Sequence, residues 1–159
     1  MTGRAAWSKE RASLIIANHS HQRGALLPML HALQDEFGCI EDAAMRLLAK
    51  ALNLSRAEVH GVVSFYHDFR RTRAGHHVIK ICRAEACQAM GADALIAHAE
   101  RHLSTALGGT TDDGTFSLQA VYCLGNCALS PAVMVDTELH GRVDATRFDA
   151  LVRVQREDL

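Results

Sequence analysis

Four of the five cysteines in this 159-residue chain form two close pairs. The first pair lies in C-R-A-E-A-C at 82–87 and the second in C-L-G-N-C at 123–127. Thiolate sulfur is soft and negatively charged, so it binds iron or zinc strongly. Two loops that each present two thiolates predict one inorganic centre, with Cys82, Cys87, Cys123 and Cys127 as its ligands.

The spacing within each pair bears on the kind of centre. Intervals of four and three residues give a loop enough slack to surround a centre wider than one ion, whereas zinc knuckles more often use two-residue spacing. Gly125 lies within the second pair, where positive φ would bring backbone N–H groups close to the sulfurs. Because zinc also accepts four thiolates, the residues alone leave iron–sulfur and zinc centres both open.

Composition excludes several classes of protein. Seventeen basic residues nearly balance eighteen acidic ones, which argues against a nucleic-acid or charged-membrane partner. No apolar run approaches the roughly 20 residues of a membrane span, and the start of the chain lacks the apolar core of a signal peptide. We therefore expect a soluble cytoplasmic protein whose cysteines bind metal rather than form disulfides. Cys39, which follows Gly38, is interpreted as a small buried or half-buried residue.

The first half of the chain has helical periodicity. Apolar residues recur at helical spacing over 8–19, 24–37 and about 41–52. Ser55 and Glu58 predict a capping box for a fourth helix, with an inward face made of Val59, Val62, Val63 and Tyr66. Four short helices predict a small bundle. The polar segment at 70–75 predicts a boundary between a helical domain at 1–72 and a second domain at 73–159.

The second half alternates between strand and helix patterns. A strand over 76–82 ends at Cys82, a helix follows over 90–103, and a second strand over 115–123 ends at Cys123. A hairpin over 131–143 and a closing helix capped by Asp144 complete an α/β sandwich. Since both cysteine pairs begin where strands end, neighbouring strands would bring the two loops together at one edge of the sheet.

The cysteine motifs, with Pro131 and the run A-V-M-V after the second pair, resemble the thioredoxin-like 2Fe-2S ferredoxins. The segments at 24–38 and 59–69 also fit that family. Its members are small subunits of NAD(P)-linked dehydrogenase complexes: respiratory complex I, NAD-linked hydrogenases, and NAD-dependent molybdenum formate dehydrogenase. The motif C-R-A-E-A-C-Q is most similar to the corresponding motif in the gamma subunit of the formate dehydrogenase. Ser130 stands where the family often has Ala, a change we expect to be tolerated without affecting the ligands.

This resemblance implies a thioredoxin-like fold and one 2Fe-2S cluster on the four cysteines. It further implies an electron-transfer role with a flavoprotein partner that binds FMN and NADH, and a docking role for the helical part. In a formate dehydrogenase, a third subunit would hold the molybdenum cofactor. FMN, NAD and molybdenum are thus expected in partner subunits.

Other functions have less support. The sequence contains no phosphate loop, dinucleotide fingerprint or nucleophile elbow, so we expect no active site in this chain. It also lacks the Cys-x-x-Cys motif of thiol–disulfide oxidoreductases. His98 and His102 are one helical turn apart, but we favour a solvated helix surface over a metal site. The remaining alternative is a zinc-stabilised structural or assembly module.

Overall fold

Four helices form the first part of the chain. In the computed structural model, which describes residues 5–157, they are α1 (Lys9–His19), α2 (Leu26–Phe37), α3 (Asp42–Leu52) and α4 (Arg56–Phe65). The chain divides into two compact units, with the boundary between Arg73 and Ala74. The four helices all belong to the first unit.

Local capping explains where these helices begin and end. Ser8 accepts a hydrogen bond from the backbone N–H of Arg11 and so caps α1. The capping box predicted for α4 is confirmed: Ser55 Oγ accepts from the Glu58 N–H at 3.1 Å, and Glu58 Oε2 accepts from the Ser55 N–H at 2.8 Å. Gly38, with φ of 82°, ends α2 in the left-handed conformation that glycine adopts most readily.

The core of the first unit consists of apolar side chains from all four helices, and α2 supplies Met29, Leu30, Leu33 and Phe37. Cys39 is buried, as expected.

The prediction that Tyr66 faces inward is wrong, because its side chain is 44% exposed. Helix α4 ends at Phe65 and the Tyr66 backbone is extended, so Tyr66 leaves the helical face and Phe69 is buried instead.

The second unit is a four-stranded sheet with three helices. Its elements are β1 (His77–Cys82), α5 (Glu85–Ala89), α6 (Ala92–Leu103), β2 (Phe116–Val121), β3 (Val133–Val135), β4 (Glu138–His140) and α7 (Ala145–Glu157). The strand order is β2-β1-β3-β4. Strands β1 and β2 are parallel, and β1–β3 and β3–β4 are antiparallel. The predicted α/β architecture and hairpin are confirmed, although the hairpin strands are shorter than expected and the sequence pattern does not predict α5.

The sheet and helices of the second unit enclose a separate apolar core. Side chains from β1, β2 and β3 pack with others from α6 and α7, including Ile79, Ile81, Leu95, Phe116, Leu118, Val133 and Phe148. Asp144 caps α7 as predicted, since its Oδ1 accepts from the Arg147 N–H at 2.8 Å. Within residues 5–157, none of the helices has the length and apolar character that crossing a bilayer requires.

Candidate metal centre

The two cysteine loops leave the same end of the parallel strand pair. Cys82 is the last residue of β1 and is paired with Val121, the last residue of β2. The Arg83 N–H donates to the Val121 carbonyl at 2.7 Å, which continues the ladder one step into the loop. Cys123 follows two residues after Val121. Parallel pairing therefore brings the start of both loops to one place.

Both cysteines of the first loop are buried. Cys82 and Cys87 are each 1% exposed, and Cys87 lies within the short helix α5. The two residues pack with Ala92 and Ala132, and Ala84, Val121 and Leu124 contact the same cluster. The Cys82 N–H donates to the Ala132 carbonyl at 3.0 Å, so the segment after the second cysteine pair closes over the first pair.

The second loop is exposed and tightly curled. Cys123 has φ of 96° and Gly125 has φ of 76°, so the positive φ expected at Gly125 is confirmed. The Gly125 N–H donates to Cys123 Sγ at 3.4 Å. A non-glycine residue at positive φ costs about 1–3 kcal/mol and persists only where the surrounding structure requires it. Cys123 is thus held in a strained conformation, with its sulfur in contact with Cys127 Sγ and the Gly125 N–H.

The two sulfurs of the second loop are spaced for a shared metal ion. Cys123 Sγ and Cys127 Sγ are 3.8 Å apart. Two thiolates bound to one tetrahedral metal at about 2.3 Å would be about 3.8 Å apart, so this pair is spaced for a common metal ion. That spacing suits a zinc ion and one iron of a 2Fe-2S cluster alike.

The electrostatics of the four sulfurs also favour a cationic occupant. Burial alone would raise the pKa of Cys82, but hydrogen bonds from the backbone of Ala84, Cys123 and Leu124 and from the Cys87 side chain lower that pKa below its ordinary value. At Cys127, the hydrogen bond with Cys123 and the charges of Cys123, Cys87 and Cys82 raise the pKa. Negative charge on the other three sulfurs therefore opposes ionisation of Cys127, and bound metal ions would offset that repulsion.

Ser130 is a part of the site that the sequence did not reveal. Its side chain is buried, its Oγ lies 3.5 Å from Cys87 Sγ, and its hydroxyl donates to the Cys127 carbonyl at 2.8 Å. The expectation that this position leaves the ligands unaffected is wrong, because Ser130 links the buried loop to the exposed one. No local pattern would have identified the contact, since 43 residues separate Ser130 from Cys87.

The chain matches the thioredoxin-like 2Fe-2S ferredoxin family over residues 12–156. It is 34% identical over 136 residues to a subunit of the NADH-quinone oxidoreductase of Pseudomonas aeruginosa, covering 84% of this chain and 82% of that protein. It is 35% identical over 122 residues to the HndA subunit of the NADP-reducing hydrogenase of Solidesulfovibrio fructosivorans, covering 77% and 71%.

A solved structure shares the fold. The crystal structure of an NAD+-reducing NiFe hydrogenase in the air-oxidised state matches with a TM-score of 0.73 and 25% sequence identity. The match covers 84% of this chain but only 23% of the hydrogenase chain. The present chain thus corresponds to about a quarter of that longer protein.

The fold and these matches define a ferredoxin, an iron–sulfur electron carrier. The chain belongs to the thioredoxin-like 2Fe-2S ferredoxin family, and it carries one 2Fe-2S cluster as its cofactor. The expected fold and family are therefore confirmed.

Proposed function

We propose that this chain is the electron-transfer subunit of an NAD-linked dehydrogenase complex and that Cys82, Cys87, Cys123 and Cys127 hold its cluster. The observation that supports this most is the meeting of two cysteine loops, each with two sulfurs, at the ends of the paired strands β1 and β2. When bound, the cluster takes up and returns one electron at a time. The chain has no catalytic role of its own in this proposal.

The two loops have different tasks. Cys82 and Cys87 lie in an apolar pocket that keeps water from their sulfurs, while Cys123 and Cys127 are exposed. Exposed ligands give an electron a short path to a partner across the protein surface. The backbone donors around Cys82 and the Gly125 N–H offset negative charge on sulfur, which favours the reduced state.

The electron partner we propose is the FMN of a flavoprotein subunit that binds NADH. The relatives are named as subunits of a quinone oxidoreductase and a hydrogenase that use NADH or NADP, which supports a partner of this class. The helical unit would dock that subunit. Phe65 is 74% exposed beside the half-exposed Tyr66, and exposed aromatic side chains are common at the centres of protein interfaces.

We further propose that the complex is a cytoplasmic NAD-dependent formate dehydrogenase, in which a molybdenum-containing subunit oxidises formate to CO2. The support is the motif C-R-A-E-A-C-Q at 82–88. The same role in an NAD-reducing hydrogenase or in complex I is the alternative, and the names of the relatives favour it. The match to a family of 2Fe-2S ferredoxins speaks against the zinc-bound structural module.

Purification of the tagged chain from its native cells tests this proposal. The purified complex should contain FMN, reduce NAD with formate, and lose that activity when the chain is deleted. Hydrogen-dependent or quinone-dependent activity instead would assign the chain to one of the alternative complexes. A preparation with no flavoprotein and no NAD-linked activity would contradict the electron-transfer role itself.

A further inference from the structure

Two histidines and one carboxylate meet where α6 packs against α7. His98 and His102 lie one turn apart on α6, and Asp149 lies on α7. His98 Nε2 is 2.6 Å from Asp149 Oδ1, and His102 Nδ1 is 3.3 Å from the same oxygen. One ligand atom from each residue lies within 4.8 Å of the other two. Two imidazole nitrogens thus converge on a single carboxylate oxygen, and an ion coordinated by all three atoms would replace the His98–Asp149 hydrogen bond.

The imidazole rings are held in place by packing. They stack on each other with centroids 5.8 Å apart, and each meets the Phe148 ring edge to face. Phe148 is fully buried in the core of this unit, so its contacts restrict the orientation of both imidazole rings. The three side chains keep between 26% and 43% of their surface exposed. The group is therefore both ordered and open to an ion from solvent.

This arrangement changes the interpretation of the histidine pair. The sequence alone favours a solvated helix surface for His98 and His102, because two ligands one turn apart make a weak site. The fold adds a third ligand from a helix much later in the chain. Two imidazoles and a carboxylate are a donor set that zinc accepts in sites with three protein ligands and one open position.

We propose that His98, His102 and Asp149 bind a divalent transition-metal ion, zinc by the chemistry of the donors, which joins α6 to α7. The site is separate from the cysteine loops and does not depend on the function proposed for them. Arg153 and Arg156 line the same surface pocket as His102 and Asp149, and their positive charge weakens cation binding. The role that fits such a site is stabilisation of the folded unit by a bound ion.

Calorimetric titration of Zn²⁺ into the full chain with its cluster in place tests the proposal. The key comparison is between the wild type and His102→Ala, which removes the most exposed imidazole and leaves the core intact. Loss of one ligand should weaken binding at the site by at least about 10- to 100-fold, the range seen even for outer-sphere changes. His60→Ala, which removes an exposed histidine on α4, is the matched control and should bind zinc like the wild type.

The site is defined by the difference in zinc binding between the wild type and His102→Ala. Zinc bound elsewhere on the protein contributes equally to both and does not affect that difference. Thermal unfolding gives a second readout: zinc should raise the unfolding midpoint of the wild type and of His60→Ala more than that of His102→Ala. Asp149→Asn, which keeps the size of the side chain, should behave like His102→Ala. Equal zinc affinity and equal thermal shifts in the wild type and both site variants would overturn the proposal.

Discussion

The sulfur atoms of Cys123 and Cys127 lie 3.8 Å apart on an exposed loop whose first cysteine has positive φ. That distance is about the separation of two thiolates on one tetrahedral metal. Cys82 and Cys87 form the other pair, within a buried apolar cluster at the end of the neighbouring strand. A cluster bound between these pairs would have one sheltered side and one side facing a partner protein.

The ligand assignment predicts which cysteines the cluster requires. Cys123→Ala should lose most of the iron and sulfide, because the cluster and the two loops stabilise each other. Cys39→Ala is the matched control, since Cys39 is buried in the other unit. Chemical analysis of Cys39→Ala should find the full complement of iron and sulfide. A full complement in Cys123→Ala would remove that residue from the ligand set.

The contact between Ser130 and Cys87 predicts an effect on the reduction potential. Once Cys87 is a metal-bound thiolate, its sulfur can only accept a hydrogen bond. The Ser130 hydroxyl, which lies 3.5 Å away, would then turn from the Cys127 carbonyl and donate to that sulfur. Such a bond stabilises the more negative, reduced cluster, so Ser130→Ala should lower the midpoint potential. A hydrogen bond worth about 0.5–1 kcal/mol corresponds to a decrease of about 20–40 mV for a one-electron couple.

A redox titration of the Ser130→Ala variant checks this prediction. Ser64→Ala, which removes an exposed hydroxyl that donates to the His60 carbonyl on α4, is the control and should leave the potential unchanged. An unchanged or higher potential in Ser130→Ala would show that the hydroxyl serves only the Cys127 carbonyl.

Docking through the helical unit predicts that Phe65 matters for assembly but not for the cluster. Phe65→Ser should weaken binding of the flavoprotein subunit about tenfold or more, because exposed aromatic residues often dominate interface energy. Leu14→Ser changes another exposed apolar side chain and is the control. The affinity of each variant for the purified flavoprotein subunit tests this prediction. Equal affinity for both variants would place the interface elsewhere.

The capping box predicts a pH effect on stability. Hydrogen bonds from the Ser55 backbone and side chain lower the pKa of Glu58 below its ordinary value of 4.5. Glu58 therefore contributes stability that is fully present above the ordinary pKa and is lost as the pH falls through the lowered one. Glu58→Gln keeps a capping side chain without the charge. Its free energy of unfolding should fall less than that of the wild type when the pH drops from about 5.5 to about 3. Parallel pH profiles would contradict this.

Local patterns in the sequence were enough to predict most of the architecture. Helical spacing located the four helices of the first unit, and the Ser55–Glu58 pair gave the start of α4. Strand alternation correctly ended β1 at Cys82, but the second strand, predicted to end at Cys123, stops at Val121. These features depend on residues close together in the chain, which is why the sequence reveals them.

What the sequence missed depends on contacts between distant segments or on where an element stops. The short helix α5 begins between the two cysteines of the first pair, where no apolar periodicity marks it. Tyr66 follows the last residue of α4, and a single extended residue was enough to turn it outward. The contacts of Ser130 with Cys87 and of Asp149 with His98 exist only after the second unit has folded.

Low-temperature EPR of the purified chain before and after dithionite reduction tests the central claim most directly, with iron, sulfide and zinc counted on the same sample. The account predicts two irons and two sulfides per chain and a rhombic S = 1/2 signal that appears only on reduction. A sample that is EPR-silent in both states, with zinc and no iron at the cysteine loops, would contradict it and leave a structural module in place of an electron carrier.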